Sequence, residues 1–167
     1  LSGPPGTGKT TLAKGLASEV AELLKANVTY LEVEPHSLAS SALGKTQRAV
    51  AELFGTTIAE HAMQGPTIVL LDEVETILVD RSKLSLDANP IDVHRATDAA
   101  LVALDHLAAQ YPNLLIIATS NFRQAIDGAF LSRCDAVFEI PLPDASAAHA
   151  ILQETLRGLA KTYPALR

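Results

Sequence analysis

Near the start of the chain, glycines, a lysine and a threonine stand at the spacing of a phosphate-binding loop. Residues 3–10, GPPGTGKT, fit the pattern G-x-x-x-x-G-K-T at every position. Glycines let the backbone turn its N–H groups inward, and N–H groups at the start of a helix bind phosphate oxygens. In such a loop the lysine reaches the β- and γ-phosphates, and the next hydroxyl ligates Mg²⁺. The pattern predicts a site for ATP and Mg²⁺. Its metal ligand is Thr10, and its nucleotide contacts are Gly3, Pro4, Pro5, Gly6, Thr7, Gly8, Lys9, Thr10 and Thr11.

The stretch IVLLDE, residues 68–73, is an apolar run followed by two adjacent carboxylates, Asp72 and Glu73. Asp72 is predicted to hold Mg²⁺ through water, and Glu73 to polarise the water that attacks the γ-phosphate. The alternative is a pair of solvated acids at the end of a strand. A kinase for a small substrate would also carry the loop and Asp72. Because Glu73 offers a base for water, hydrolysis is favoured.

An amide and an arginine follow the next apolar run. Asn121 ends the stretch IIATSN, and ligands of parallel sheets bind beyond the carboxyl ends of the strands. Asn121 is therefore predicted to orient the attacking water; the alternative is that it caps a turn. Arg133 is predicted to stabilise phosphoryl charge across a subunit boundary. For Arg133 the alternative is a salt bridge to Asp135 or Asp127.

Hydrophobic periodicity predicts alternating strands and helices. Strands are predicted at 28–33, 67–71, 114–119 and 136–140, and helices at 9–26, 44–63, 91–109 and 144–161, with a polar loop at 80–90. The apolar face of the first helix is predicted from Leu12, Leu16, Val20 and Leu23, and that of the third from Ala96, Ala100, Leu104 and Leu107. Such alternation implies right-handed βαβ units in a doubly wound parallel sheet, the α/β fold of P-loop NTPases.

The overall charge disfavours polyanionic partners. Thirteen Lys and Arg against nineteen Asp and Glu give a net charge of −6 without a basic block, so neither nucleic acid nor a membrane surface has electrostatic support. A single cysteine, Cys134, excludes an intrachain disulfide and fits a reducing cytoplasm, which is the predicted location. Cys134 is interpreted as a small buried residue, and the five histidines, which lack metal-ligand spacing, as surface or boundary residues.

The order of these motifs resembles that of the AAA+ ATPases. GPPGTGKT, LLDE, ATSN and an arginine near the end of AFLSR occur in this order across nearly the whole chain. Within that superfamily, PHSLASSALGKTQRAVAELF, LLDEVETI, PIDVHRATDAALVALD and ATSNFRQAIDGAFLSRCD resemble the pachytene-checkpoint family of HORMA-domain remodellers. The shared traits are Glu75, Asp92, Arg95 and Ser120, and the alanine-rich, acidic character resembles bacterial members.

The resemblance implies a homo-oligomeric ring, usually a hexamer, that hydrolyses ATP at subunit interfaces and pulls on a protein substrate. HORMA-domain proteins are the candidate substrates, and Arg133 is expected to complete the neighbouring subunit's site. Residues 1–143 are expected to form the large ATPase subdomain, and residues 144–167 the start of the helical lid or a connector to it. In this family the strand leading into the phosphate loop lies between those predicted at 114–119 and 136–140. Only Leu1 and Ser2 precede the loop here, so the segment is expected to lack that strand.

The pore loop departs from the family pattern. Alignment from His36 places Ala42 and Leu43 where the family carries an aromatic residue that grips the substrate. Leu43 is predicted to line the pore in its place. The missing aromatic keeps a second function open, a nucleotide-gated assembly or regulatory module that does not thread its substrate. A small-molecule kinase, the third alternative, lacks any identifiable second substrate site.

Overall fold

The computed structural model describes residues 1–33, 45–80 and 90–163, and the side chains of 45–46 and 90–93 are not described. Its strands are β1 (Thr29–Val33), β2 (Thr67–Leu71) and β3 (Leu114–Ala118). Its helices are α1 (Lys9–Leu24), α2 (Lys45–Glu52), α3 (Ala59–Gln64), α4 (Pro90–Gln110), α5 (Gly128–Leu131) and α6 (Ala145–Thr162). The predicted pore-loop residues Ala42 and Leu43, and the side chain of Asp92, lie outside the described residues.

The three strands form a parallel sheet in the order β1-β2-β3. Thr67 of β2 pairs with Thr29 on one side and with Leu114 on the other. All five residues of β2 are buried, as expected for a central strand whose sequence is apolar without alternation. The predicted α/β fold and its strands at 28–33, 67–71 and 114–119 are therefore confirmed.

Helices cover both faces of the sheet, and alternate residues of β2 contact different helices. Val69 and Leu71 belong to a large core that also includes buried residues of α2 and α4, whereas Ile68 and Leu70 pack with Ala13 and Ala17 of α1. On α4 the predicted apolar face is confirmed, since Ala96, Ala100, Leu104 and Leu107 are all buried.

The predicted apolar face of α1 is wrong for three of its four residues, and only Val20 packs against the core. Ala13 and Ala17 are buried against β2, while Leu12, Leu16 and Leu23 are exposed. Small side chains let the helix backbone approach the sheet closely, so on α1 the alanines face the sheet and the leucines do not.

The helix predicted at 44–63 is interrupted. Between α2 and α3 the chain forms a π-helical segment, Leu53–Ile58, which buries Phe54 and Ile58 in the large core. A π-helix widens the turn by one residue and is rare outside such short insertions. The period of apolar residues hardly changes across it, which is why the sequence predicts one continuous helix.

Residues 136–140 form no continuous strand, so that prediction is also wrong. Ser2 makes single parallel bridges to Ser120 and to Glu139. The Ser2 N–H donates to Phe138 O at 2.9 Å, and the Ile140 N–H donates to Ser2 O at 2.7 Å. Leu1 and Ser2 thus lie between β3 and residues 138–140, where the family resemblance places the strand before the phosphate loop.

α6 begins where the sequence predicts, because the Asp144 carboxylate accepts a hydrogen bond from the Ala147 N–H at 2.8 Å and caps the helix. None of its described residues is buried. In the described part of the chain, no helix has the length and apolar character needed to cross a membrane.

Candidate nucleotide-binding site

The phosphate loop curves through residues that only glycine fits without strain. Gly6 and Gly8 have φ angles of 77° and 83°, in the left-handed region that side chains disfavour. A Cβ built on Gly3 would lie 2.1 Å from Ile140 O. The loop is therefore held against residues 138–140 on one side. Apart from the adjacent residues of the chain, no described residue comes within 4 Å of a Cβ built on Gly6 or Gly8.

Lys9, the first residue of α1, is only 6% exposed. Its Nζ donates to Gly3 O at 2.9 Å and to Pro4 O at 2.7 Å, so the ammonium lies within the loop. Both acceptors are neutral carbonyls. Because α1 begins here, the first N–H groups of the helix lack intrahelical partners and add a positive end to the same place. A buried cation at a helix start, beside an open loop, fits the phosphates of a nucleotide.

The remaining predicted loop contacts surround Lys9. Pro4, Pro5, Gly6, Gly8 and Thr11 are exposed, and Thr7 and Thr10 are half-buried. The Thr7 hydroxyl donates to Pro4 O at 3.0 Å, which closes the loop on itself. The site is thus open on its outer side.

Thr10 and Asp72, the two predicted metal ligands, lie together. The Thr10 hydroxyl donates to Asp72 Oδ1 at 3.0 Å. Mg²⁺ is commonly bound by one or two carboxylates together with phosphates and water, so a hydroxyl and a carboxylate beside the phosphate loop fit this ion. In the part of the chain that the structure describes, no cluster of three His, Cys, Asp or Glu side chains offers a metal site of another kind.

Thr119 is a residue of the site that the sequence reasoning missed. Its buried hydroxyl donates to Asp72 Oδ1 and accepts from the Glu73 N–H at 3.1 Å. The Val74 N–H donates to Thr119 O at 2.9 Å. The signal available in the sequence is the threonine two residues before Asn121, at the end of a buried strand.

We call residues 72–76 the acid turn, and Glu73 is its second residue. The φ angle of Glu73 is 51°, in the left-handed region. Residues other than glycine are strained in this region, and such residues cluster at functional sites. The Asn121 Nδ2 donates to Glu73 Oε1 at 3.1 Å. The structure therefore brings together the two predicted residues, Glu73 and Asn121, at neighbouring strand ends.

Glu75 fixes the same region from the other side. Its Oε1 accepts from the Asn121 N–H at 3.0 Å, so Asn121 is tied to the acid turn through both its backbone and its side chain. Among the described residues, the buried Oε2 of Glu75 has no hydrogen-bond partner. From the sequence, Glu75 is a trait shared with a family and has no assigned contact.

Arg133 lies just after α5 and pairs with Asp105 of α4, not with Asp135 or Asp127 as the salt-bridge alternative has it. Nε donates to Asp105 Oδ1 at 2.8 Å and Nη2 donates to Asp105 Oδ2 at 2.9 Å. These hydrogen bonds raise the pKa of the Arg133 guanidinium and lower the pKa of the Asp105 carboxyl. We call Asp105 and Arg133 the arginine pair. None of the hydrogen bonds of Arg133 reaches the phosphate loop or the acid turn of its own chain.

Cys134, next to Arg133, is half-buried rather than fully buried. Its Sγ is 3.5 Å from Phe130 O, and burial raises the pKa of the thiol. A raised pKa disfavours the thiolate, so Cys134 is not an activated nucleophile.

Comparison with known proteins identifies the class. A model of the AAA family, ATPases associated with various cellular activities, matches residues 1–142. The chain belongs to this family, which confirms the predicted class.

Several relatives are close in sequence. The chain is 66% identical over 167 residues to CD-NTase-associated protein 6 of Pseudomonas aeruginosa, covering 99% of this chain and 55% of that protein. It is 36% identical over 166 residues to the pachytene checkpoint protein 2 homolog of Gallus gallus, covering 96% and 38%. The resemblance to the pachytene-checkpoint family is thereby confirmed.

A solved structure shares the fold. The chain superposes on one chain of the E. coli MS115-1 HORMA:CdnC:Trip13 complex with a TM-score of 0.81 at 20% identity, covering 99% of this chain and 55% of that one. The chain therefore spans about half the length, or less, of the proteins that it matches.

Proposed function

We propose that this chain is the ATP-hydrolysing part of a ring that remodels a protein substrate. The observation that carries the proposal is that the adjacent carboxylates Asp72 and Glu73 have different hydrogen-bond partners. Asp72 accepts hydrogen bonds from the hydroxyls of Thr10 and Thr119, whereas Glu73 accepts from the amide of Asn121. One acid is thus directed to the metal-ligand side and the other toward an amide that can hold water.

Each residue then has a definite part in hydrolysis. Lys9 and the loop N–H groups bind the β- and γ-phosphates, and Thr10 and Asp72 hold Mg²⁺, which supplies neutralisation of charge on the phosphate oxygens. Glu73 takes the proton of the attacking water. Asn121 keeps that water in line, and its contact with Glu73 sets the distance between base and amide.

Arg133 has its place in the next subunit. We call the phosphate loop and the acid turn together the phosphate side. None of the hydrogen bonds of Arg133 reaches the phosphate side of its own chain. This supports a role across an interface in a homo-oligomer, with a hexamer as the expected form. Arginines supplied in this way stabilise charge that develops on the transferred phosphoryl group.

The substrate is proposed from the relatives. The solved complex that shares this fold contains HORMA, CdnC and Trip13 components, and this supports a HORMA-domain protein as the substrate. Residues 1–143 would serve as the large ATPase subdomain and 144–167 as the start of a helical lid. The second assignment is supported by α6, which has its own cap at Asp144 and buries none of its described residues.

Replacement of Glu73 by glutamine in the full-length protein tests hydrolysis. Glu73→Gln keeps the size of the side chain and spares Lys9, Thr10 and Asp72, so ATP binding should persist. Turnover should fall about 10²- to 10⁴-fold, the usual effect of losing a positioned base. Calorimetry measures binding and phosphate release measures turnover.

Two further variants control this test. Glu19→Gln removes an exposed carboxylate of α1 and should match the parent, whereas Lys9→Ala should abolish binding itself. Parent-like turnover of Glu73→Gln would disprove the role assigned to Glu73.

A second function remains in competition, a nucleotide-gated module that assembles with a partner without threading it. The sequence observation in its favour is the lack of an aromatic residue at Ala42 and Leu43. Leu43→Ser separates the two functions. A threading ring should keep basal ATPase but lose stimulation by its HORMA-domain substrate and lose remodelling. A module that does not thread should keep both activities.

A further inference from the structure

The arginine pair joins the C-terminal half of α4 to the end of α5. Two parallel hydrogen bonds, of 2.8 and 2.9 Å, connect the guanidinium to both oxygens of Asp105. The Nη1 of Arg133 also donates to Ala129 O at 2.8 Å. Bidentate pairs of this kind fix the plane of the guanidinium as well as its distance.

The arginine pair leaves some N–H groups of the Arg133 guanidinium without an acceptor among the described residues. A guanidinium has five N–H groups and no acceptor. Three of them are used by Asp105 and Ala129. The two that remain, one on Nη1 and one on Nη2, have no acceptor among the described residues. These two nitrogens are the outer end of the side chain, the part that can bind a phosphate in a bidentate manner.

The pair is a poor source of stability. The side chain of Arg133 is 36% exposed and that of Asp105 is 54% exposed, and exposed pairs contribute little because water screens them. What the pair does supply is order. A free arginine side chain samples many rotamers, and the loss of that freedom on binding opposes the interaction. Asp105 removes this freedom before any phosphate arrives.

We infer that Asp105 is a positioning residue for Arg133, which it holds so that the two remaining N–H groups point toward the phosphate bound by the adjacent subunit. The inference rests on the proposed role of Arg133 across the interface. In this role Asp105 acts only through Arg133.

Variants of the full-length ring test this inference. Asp105→Ala should lower kcat about 10- to 100-fold, the range expected when a catalytic group loses its alignment. Its affinity for ATP, measured by calorimetry, should be unchanged. Asp105→Asn keeps one acceptor oxygen and nearly the same shape, so its kcat should lie between those of Asp105→Ala and the parent. Asp135→Ala removes an exposed acid close in sequence, causes the same change in charge, and should match the parent.

Two readouts separate positioning from a merely structural role. The double variant Asp105→Ala/Arg133→Ala should be no slower than Arg133→Ala alone. In rings mixed with Glu73→Gln subunits, Asp105→Ala should recover ATPase as Arg133→Ala does, because both defects lie on the same side of the interface. Thermal unfolding of each single variant should remain close to that of the parent.

Other outcomes overturn the inference. Faster turnover in Asp105→Ala would mean that Asp105 holds Arg133 away from its target, and a further loss in the double variant would mean that Asp105 acts elsewhere. If Arg133→Ala is impaired while Asp105→Ala matches the parent, only the positioning role fails. If Arg133→Ala itself matches the parent, the proposed role across the interface fails and the positioning role fails with it.

Discussion

The phosphate side of the site and the arginine pair are built in contrasting ways. On the phosphate side, hydrogen bonds of Thr119, Asn121 and Glu75 connect the end of β3 to the acid turn, and all of them are partly buried. The arginine pair is exposed, and in the described part of the chain its hydrogen bonds connect α4 with α5 and the residues just after it. The contrast teaches that the phosphate side is held together by hydrogen bonds within the chain, while the guanidinium of Arg133 lies at the surface, as its proposed role in a neighbouring subunit requires.

This difference has a physical basis. Groups that must hold a highly charged ligand and a water molecule gain from a preorganised, partly buried setting, because the cost of orienting them is met during folding. A group that acts on another chain must stay at the surface, where a single surface carboxylate can orient it. Variants on the two sides should therefore fail in different ways.

The largest effect is expected for Arg133→Ala. Arginines that complete a neighbouring site contribute about 10³- to 10⁵-fold to turnover, so ATPase of the assembled protein should fall by that order. Nucleotide affinity of the isolated subunit should change little, since none of the hydrogen bonds of Arg133 reaches the phosphate loop or the acid turn. Loss of affinity in the isolated subunit would place Arg133 in the site of its own chain.

A smaller loss is expected on the phosphate side for Thr119→Val. Valine keeps the shape but leaves the Glu73 N–H and Asp72 without the hydroxyl, which should reduce the free energy of unfolding by about 1–3 kcal/mol. Misalignment of both acids should lower kcat by about 10²-fold.

Thr97→Val is the matched control for this loss. The hydroxyl of Thr97 is buried and donates to Ile77 O at 2.9 Å, one residue beyond the acid turn, and not to Asp72 or Glu73. It should destabilise the protein by a similar amount without the loss of kcat. Equal losses of kcat in the two variants would reduce Thr119 to a folding role.

The smallest effect concerns Cys134, which follows Arg133 in sequence and packs against the large core. Because burial raises the pKa of its thiol, the thiolate population at neutral pH should be below that of a free cysteine. Alkylation by iodoacetamide should accordingly be slower than that of glutathione at the same pH and should accelerate as the pH rises. A rate equal to that of glutathione would mean that the packing of Cys134 against the core opens in solution.

Much of the fold could be predicted because local patterns were strong. The continuous apolar run of β2 and the spacing of Ala96, Ala100, Leu104 and Leu107 on α4 led directly to the observed core. Predictions failed where a neighbour decides the outcome. The face of α1 depends on how closely the helix approaches the sheet, and the conformation of residues 136–140 depends on their pairing with a segment distant in sequence.

The site shows the same division. The positions of Lys9, Thr10 and Asp72 follow from motif spacing and from the meeting of strand ends at one edge of a parallel sheet. Thr119, Glu75 and Asp105 could not be assigned in advance, because their partners are distant in sequence and each contact depends on tertiary packing. For Arg133 the sequence indicates Asp127 or Asp135 as the salt-bridge partner, whereas in the structure the partner is Asp105 of α4.

Mixed assemblies test the central claim most directly, namely that the two halves of the site belong to different chains. Full-length Arg133→Ala and Glu73→Gln subunits are each expected to be nearly inactive. When they are mixed, some interfaces will join an intact Glu73 to an intact Arg133, and ATPase should reappear with a maximum at intermediate ratios. Absence of recovery at every ratio, in rings shown to contain both variants, would contradict the account.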